Sequence, residues 1–108
     1  MEVINLENVI FSAEKFVPNK LIEKREVQVV LLALEPGQEV PLHKTPVEVF
    51  FLVVKGKVEV IIGEEIKTVA AGNIVLSPAN IPHAIKNNSL EKASVLVVKT
   101  PNPQHLNQ

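Results

Sequence analysis

The chain has 108 residues, 46% of them apolar, and a formal net charge of −1. That is enough hydrophobic material for one compact domain with a single core, and the 11 basic residues are scattered, leaving no electrostatic footprint for nucleic acid or an acidic membrane surface. All 12 acidic residues are Glu and Cys is absent, which excludes Asp-based calcium loops, Ser-His-Asp triads, disulfides and thiolate metal sites.

The apolar set is mostly Val, Ile and Leu, with four Phe and no Tyr or Trp. Branched side chains suit a pleated, half-buried surface, so an all-β domain is expected. No basic segment followed by an apolar run opens the chain, and no apolar stretch approaches the roughly 20 residues that span a bilayer. A cytoplasmic protein is the expectation.

From the N-terminus, Val3–Ile4, Val9–Phe11 and Phe16–Val17 are short apolar runs between polar breaks. Residues 1–20 therefore read as one or two edge strands or as an arm for a dimer partner. Ser12 can cap a single helical turn that Pro18 soon stops. Leu21 to Glu35 reads as one long strand, polar at its start and apolar at its end. Glu35-Pro36-Gly37-Gln38 is a turn with Pro at its second and Gly at its third position.

Val40 to His43 is a short strand interrupted by Pro41. Val47 to Val54 is the most apolar run, and Lys55-Gly56 turns it into Lys57 to Ile62, which is close to period two. Gly63-Glu64-Glu65 turns again before Ile66 to Val69. Asn73 to Leu76 is a strand, the Pro-bounded segment Ser77 to Pro82 is a rigid turn, and a second strand begins at His83. Asn87-Asn88-Ser89 turns the chain into the last strand, Lys92 to Lys99. Residues 101–108, with two Pro residues, read as a flexible tail. The count is roughly nine or ten short strands with no long helix, the pattern of an antiparallel sandwich or barrel.

Of the three histidines, His105 lies in the polar tail and reads as a solvated surface residue. His43 and His83 each follow a Pro-containing turn and lead into a strand, which reads either as two side chains brought together on neighbouring strands or as two unrelated histidines near a barrel mouth. Gly72 to Asn87, GNIVLSPANIPHAIKN, resembles the second motif of the cupins, G-x5-P-x-G-x2-H-x3-N. Gly72, Pro78, His83 and Asn87 match, and Asn80 stands in for the middle Gly, a mild change because Asn tolerates the left-handed conformation. Gly37, His43 and Gly56 match the first motif, G-x5-H-x-H-x3,4-E-x6-G. The resemblance runs from about Val27 to Lys99.

That resemblance implies a jelly-roll (double-stranded β-helix) barrel in a single domain, usually a homodimer, holding a metal with two His and a Glu from the first motif and one His from the second. Thr45 stands at the second His position and Val49 at the Glu position, so only His43 and His83 carry over. Glu48, one residue before the expected Glu, is the other candidate. In a regular strand that shift turns the side chain to the opposite face, and a β-bulge near Pro46 would restore it. His43, Glu48 and His83 would then form a two-His-one-carboxylate site suited to Fe, Mn, Ni or Zn. The alternative is a solvated Glu48 and a metal-free barrel that binds or senses a small molecule. Whether the protein is an enzyme, and on what substrate, stays open at this level.

Overall fold

The computed structural model describes residues 1–105. Its nine strands are β1 (Val17–Glu23), β2 (Gln28–Leu34), β3 (Glu39–His43), β4 (Glu48–Lys55), β5 (Lys57–Ile62), β6 (Glu65–Ala70), β7 (Ile74–Ser77), β8 (His83–Lys86) and β9 (Ala93–Thr100), followed by a 3₁₀ turn at Pro103–His105. Every pairing is antiparallel. A five-stranded sheet in the order β1-β2-β9-β4-β7 faces a four-stranded sheet in the order β3-β8-β5-β6. This is the jelly-roll arrangement, built as two separate ladders.

The core lies between the sheets. Leu32, Leu34, Val49, Phe51, Val53, Val95 and Val97 from the larger sheet meet Val40, Val58, Val60 and Ile85 from the smaller one. On β4 the alternation is plain: Val49, Phe51 and Val53 are buried, while Glu48 is exposed and Phe50, Leu52 and Val54 are half-buried. A strand has two faces, and burying that apolar trio fixes which one looks inward.

Three segments depart from the sequence reading. Leu21 to Glu35 is not one strand; Lys24 and Val27 exchange backbone hydrogen bonds of 3.0 and 3.3 Å, and a tight turn separates β1 from β2. The polar run starting at Lys24 is a turn as far as Val27, although it contains neither Gly nor Pro, and Gln28 already belongs to β2. Residues 1–16 form no strand. Ile10 is tied to the Asn19 side chain on β1, the Gln38 amide donates to the Ser12 carbonyl at 2.7 Å, and Leu6 and Val9 share a groove with Val54 and Ser94.

The end of the chain is also tied down as far as the description reaches. Asn102 is wholly buried and donates to the Glu23 carboxylate at 2.8 Å and the Lys24 carbonyl at 3.0 Å. The remainder of the tail, 106–108, lies outside the described residues. Among the described residues no helix is long and apolar enough to cross a membrane.

Candidate functional site

His83 opens β8 on its inward face, buried to 2% exposure. The turn before it runs back on itself, with Asn80 in the left-handed conformation at φ 65°, where Asn is among the few non-glycine residues tolerated. The turn sets Ser77, the last residue of β7, against His83, with Ser77 Oγ 3.0 Å from His83 Nδ1. Phe51 packs edge-on against the same imidazole, centroids 5.4 Å apart.

His43 reaches the same place by an irregular route. Val40 pairs with Ile85, yet His43 pairs with His83, so β3 contains one residue more than β8 over this stretch. Pro41 lies inside that bulge, where a missing N–H does no harm to the ladder. The extra residue sends Leu42 outward, 61% exposed, and turns His43 inward. His43 Nε2 lies 3.2 Å from His83 Nε2, and the rings meet edge to face with centroids 4.5 Å apart.

The protons of this pair are set by its neighbours. His43 Nδ1 is 2.9 Å from the Pro41 carbonyl oxygen, which only accepts, so Nδ1 carries the hydrogen and Nε2 of the neutral ring is bare. His83 Nε2–H then donates to His43 Nε2, and its bare Nδ1 accepts from the Ser77 hydroxyl. The result is one directed chain, Ser77 to His83 to His43 to Pro41. Burial, first, and then the nearby positive groups His43 and Lys99 push the His83 pKa down to about 4. The His83 ring is neutral at physiological pH.

Beneath the pair is a cavity of about 160 Å³, lined by His43, His83 and Lys99 at one end and by Val30, Leu32, Phe51 and other apolar groups elsewhere. A larger hollow of about 420 Å³ opens between the edges of β6 and β7, lined by Glu65, Lys67, Ile81 and apolar neighbours. It contains neither of the paired histidines, whereas the smaller cavity combines them with a largely apolar wall and is the candidate site.

Glu48 is not brought to it. It is exposed, pairs with Thr100, and faces away from the interior that Val49 enters. The bulge that would have turned it inward exists, but at Pro41, where it re-aims His43 instead. Thr45 is buried in the loop, its hydroxyl donating to the Val47 carbonyl at 3.1 Å and its own carbonyl accepting from Asn80 N–H at 2.8 Å. Among the described residues no group of three or more His or Glu side chains converges on one point. A metal held by His43, Glu48 and His83 therefore does not fit this donor set.

The family model for the cupin domain (Cupin_2) matches residues 30–99. The chain is a cupin. A relative from Methanocaldococcus jannaschii is 30% identical over 96 residues, 88% of this chain and 83% of that one. Its crystal structure, described as an RmlC-like cupin family protein with a double-stranded β-helix fold, superposes with a TM-score of 0.79 at 27% identity, covering 94% of each chain. A protein from Thermus thermophilus superposes with a TM-score of 0.92 at 30% identity, over 95% of this chain and all of that one.

Most of the cupin motif residues prove to be architectural here. Asn87 is wholly buried; its amide donates to the carbonyls of Leu34 and Glu91, and its oxygen accepts from Ser89. Gly37 N–H donates to the Asn87 carbonyl at 2.7 Å. Two site residues escaped the sequence reading. Ser77 was legible only as part of a turn. Lys99 follows Ala93, Val95 and Val97 on the inward parity of β9, a signal that is readable once the strand's register is known.

Proposed function

We propose that this cupin holds a small organic molecule in the cavity beneath His43 and His83, as a binding or sensing module independent of a three-ligand metal centre. The observation that carries the reading is the cap of the cavity: the His83 imidazole bonded to that of His43, with the candidate carboxylate on the opposite face of β4. The walls are apolar and a few convergent polar groups sit at one end, the usual composition of a small-molecule site. About 160 Å³ is roughly the share of five waters, so the occupant is small.

The test uses tag-free protein stripped with a chelator and screened against short organic acids, amides and alcohols by ligand-observed NMR. Binding survives chelation on this reading, and is lost in a Val30→Phe variant that drives a ring into the cavity while circular dichroism stays that of the native fold. Binding that requires added metal would contradict it.

One observation favours a metal as a second reading. The 3.2 Å between the two Nε2 atoms matches neighbouring ligands on an ion with metal–nitrogen bonds of about 2.0–2.1 Å. If His83 carried its hydrogen on Nδ1, donating to Ser77 Oγ, both Nε2 lone pairs would be free, with Pro41 and Ser77 orienting the rings. Such a site has two protein ligands, and Glu48→Gln leaves its affinity unchanged.

A homodimer is part of the proposal. The outer face of the five-stranded sheet carries two apolar rows, Val29-Val98-Phe50-Leu76 across four strands and Leu96-Leu52-Ile74 across three, beside Leu31, which is already buried. Leu76 and Ile74 are 66% and 62% exposed. The outer face of the other sheet instead carries Glu39, Lys86 and Glu59 in register, with Lys86 paired to Glu39 at 3.7 Å. An apolar sheet face of this breadth is suited to burial against a copy of itself.

A further inference from the structure

Five cross-strand neighbours form one row across the inner face of the larger sheet: Glu23, Gln28, Lys99, Val49 and Ser77. Cross-strand partners share a face, so Lys99 looks into the same interior as Ser77 and lines the cavity beside the histidine pair. We propose that the site takes a short-chain monocarboxylate, its anionic end held by Lys99 and His83 and its hydrocarbon end by the apolar wall. This rests on the reading of the cavity as a ligand site and names the chemistry of the ligand.

The charge around the cavity is one-sided. Lys99 is the cation there, His83 is neutral, and no carboxylate lines the space. Glu48 faces outward. Glu23, at the end of the row, is already engaged by the Asn102 and Gln28 amides at 2.8 and 3.2 Å. No ion pair to Lys99 forms among the described residues; the two that do form use Lys86 and Lys92. Burial lowers the Lys99 pKa, and the charge on Glu23 opposes that shift only in part. A half-buried ammonium with its desolvation so poorly offset favours an anion that enters beside it.

The histidine pair supplies the second contact. His43 is exposed and, apart from its contact with His83, is held by the Pro41 carbonyl, whereas His83 is buried and also fixed by Ser77 and Phe51. A carboxylate oxygen that takes the place of His43 Nε2 accepts the His83 Nε2–H directly. The donors belong to the end rows of their sheets, Lys99 on β9 and His83 on β8, and the rows that follow carry Val97, Val30, Leu32 and Ile85, which argues against a dicarboxylate. A second charge would be stranded against hydrocarbon.

The experiment compares butyrate with its neutral isostere butyramide, titrated into chelator-stripped wild-type protein and a Lys99→Met variant. The readout is the methyl shifts of Val30 and Val97. Butyrate should bind at least about ten-fold tighter than butyramide to the wild type, and Lys99→Met should erase that preference. Equal affinities in the wild type, or a preference that survives in Lys99→Met, would overturn the carboxylate assignment and leave the ligand site standing. Methyl shifts that respond to neither probe would overturn both.

Discussion

Which nitrogen of each imidazole carries its proton follows from the Pro41 carbonyl at one end of the chain and the Ser77 hydroxyl at the other, and the burial of His83 adds a pH dependence. An unfolded His titrates near pH 6.5, while folded His83 holds out to about 4. Between those values the unfolded state binds a proton that the folded state refuses, so stability falls as pH drops. The contribution is fully present above about pH 6.5, is lost progressively toward pH 4, and amounts to on the order of 3 kcal/mol. Urea unfolding midpoints at pH 7, 5.5 and 4 measure it, and the His83→Gln variant lacks this part of the slope. Midpoints in the wild type that fall no more steeply than in the variant would contradict it. Glu48 teaches the complementary lesson. Its face was open to argument from sequence because one bulge decides it, and nothing in the residue types tells whether Pro41 or Pro46 carries the bulge. The alternation Val49, Phe51, Val53 settles the matter, since turning Glu48 inward would expose that trio.

At the scale of elements, the corner at which β4 of one sheet passes into β5 of the other is the part that sequence describes best. Gly56 sits at φ +74°, and a Cβ there would lie 2.7 Å from the Lys92 carbonyl oxygen. Gly72 has φ +91° with open space around it. Gly72→Ala should therefore cost only the left-handed backbone penalty, about 1–2 kcal/mol. Gly56→Ala should cost more, because the blocking atom is backbone and has no rotamer to give way. Chemical denaturation of the two variants checks the ranking, and equal losses would contradict it. The boundary between β1 and β2 was hidden for a physical reason. Its turn is closed by backbone hydrogen bonds between Lys24 and Val27, with no residue that demands a special conformation. The strand bearing Lys99 was visible, but its inward face was not, because parity at a strand's end depends on pairings far away in sequence.

For the whole molecule, two sheets with unlike outer faces enclose a largely apolar interior. The charged outer face of the smaller sheet suits water, and the apolar outer face of the larger one suits a second copy. Sedimentation or light scattering should report a homodimer that Phe50→Lys or Leu76→Lys converts to a folded monomer; a wild-type monomer would remove that part of the proposal. The family was legible because motif residues such as Gly56, Gly72, Asn80 and Asn87 build turns, and turn chemistry is written in residue types. The site was less so, since Ser77 and Lys99 gain their meaning from register. The central claim is that the cavity is capped by a hydrogen-bonded histidine pair and not by a three-ligand metal centre. Long-range ¹H–¹⁵N NMR of the chelator-stripped protein at neutral pH, followed by zinc titration, tests it most directly. The prediction is a proton on Nδ1 of His43 and on Nε2 of His83, with both tautomers persisting when zinc reaches one equivalent. Stoichiometric loss of the His83 Nε2–H signal on adding zinc, abolished by Glu48→Gln, would contradict it.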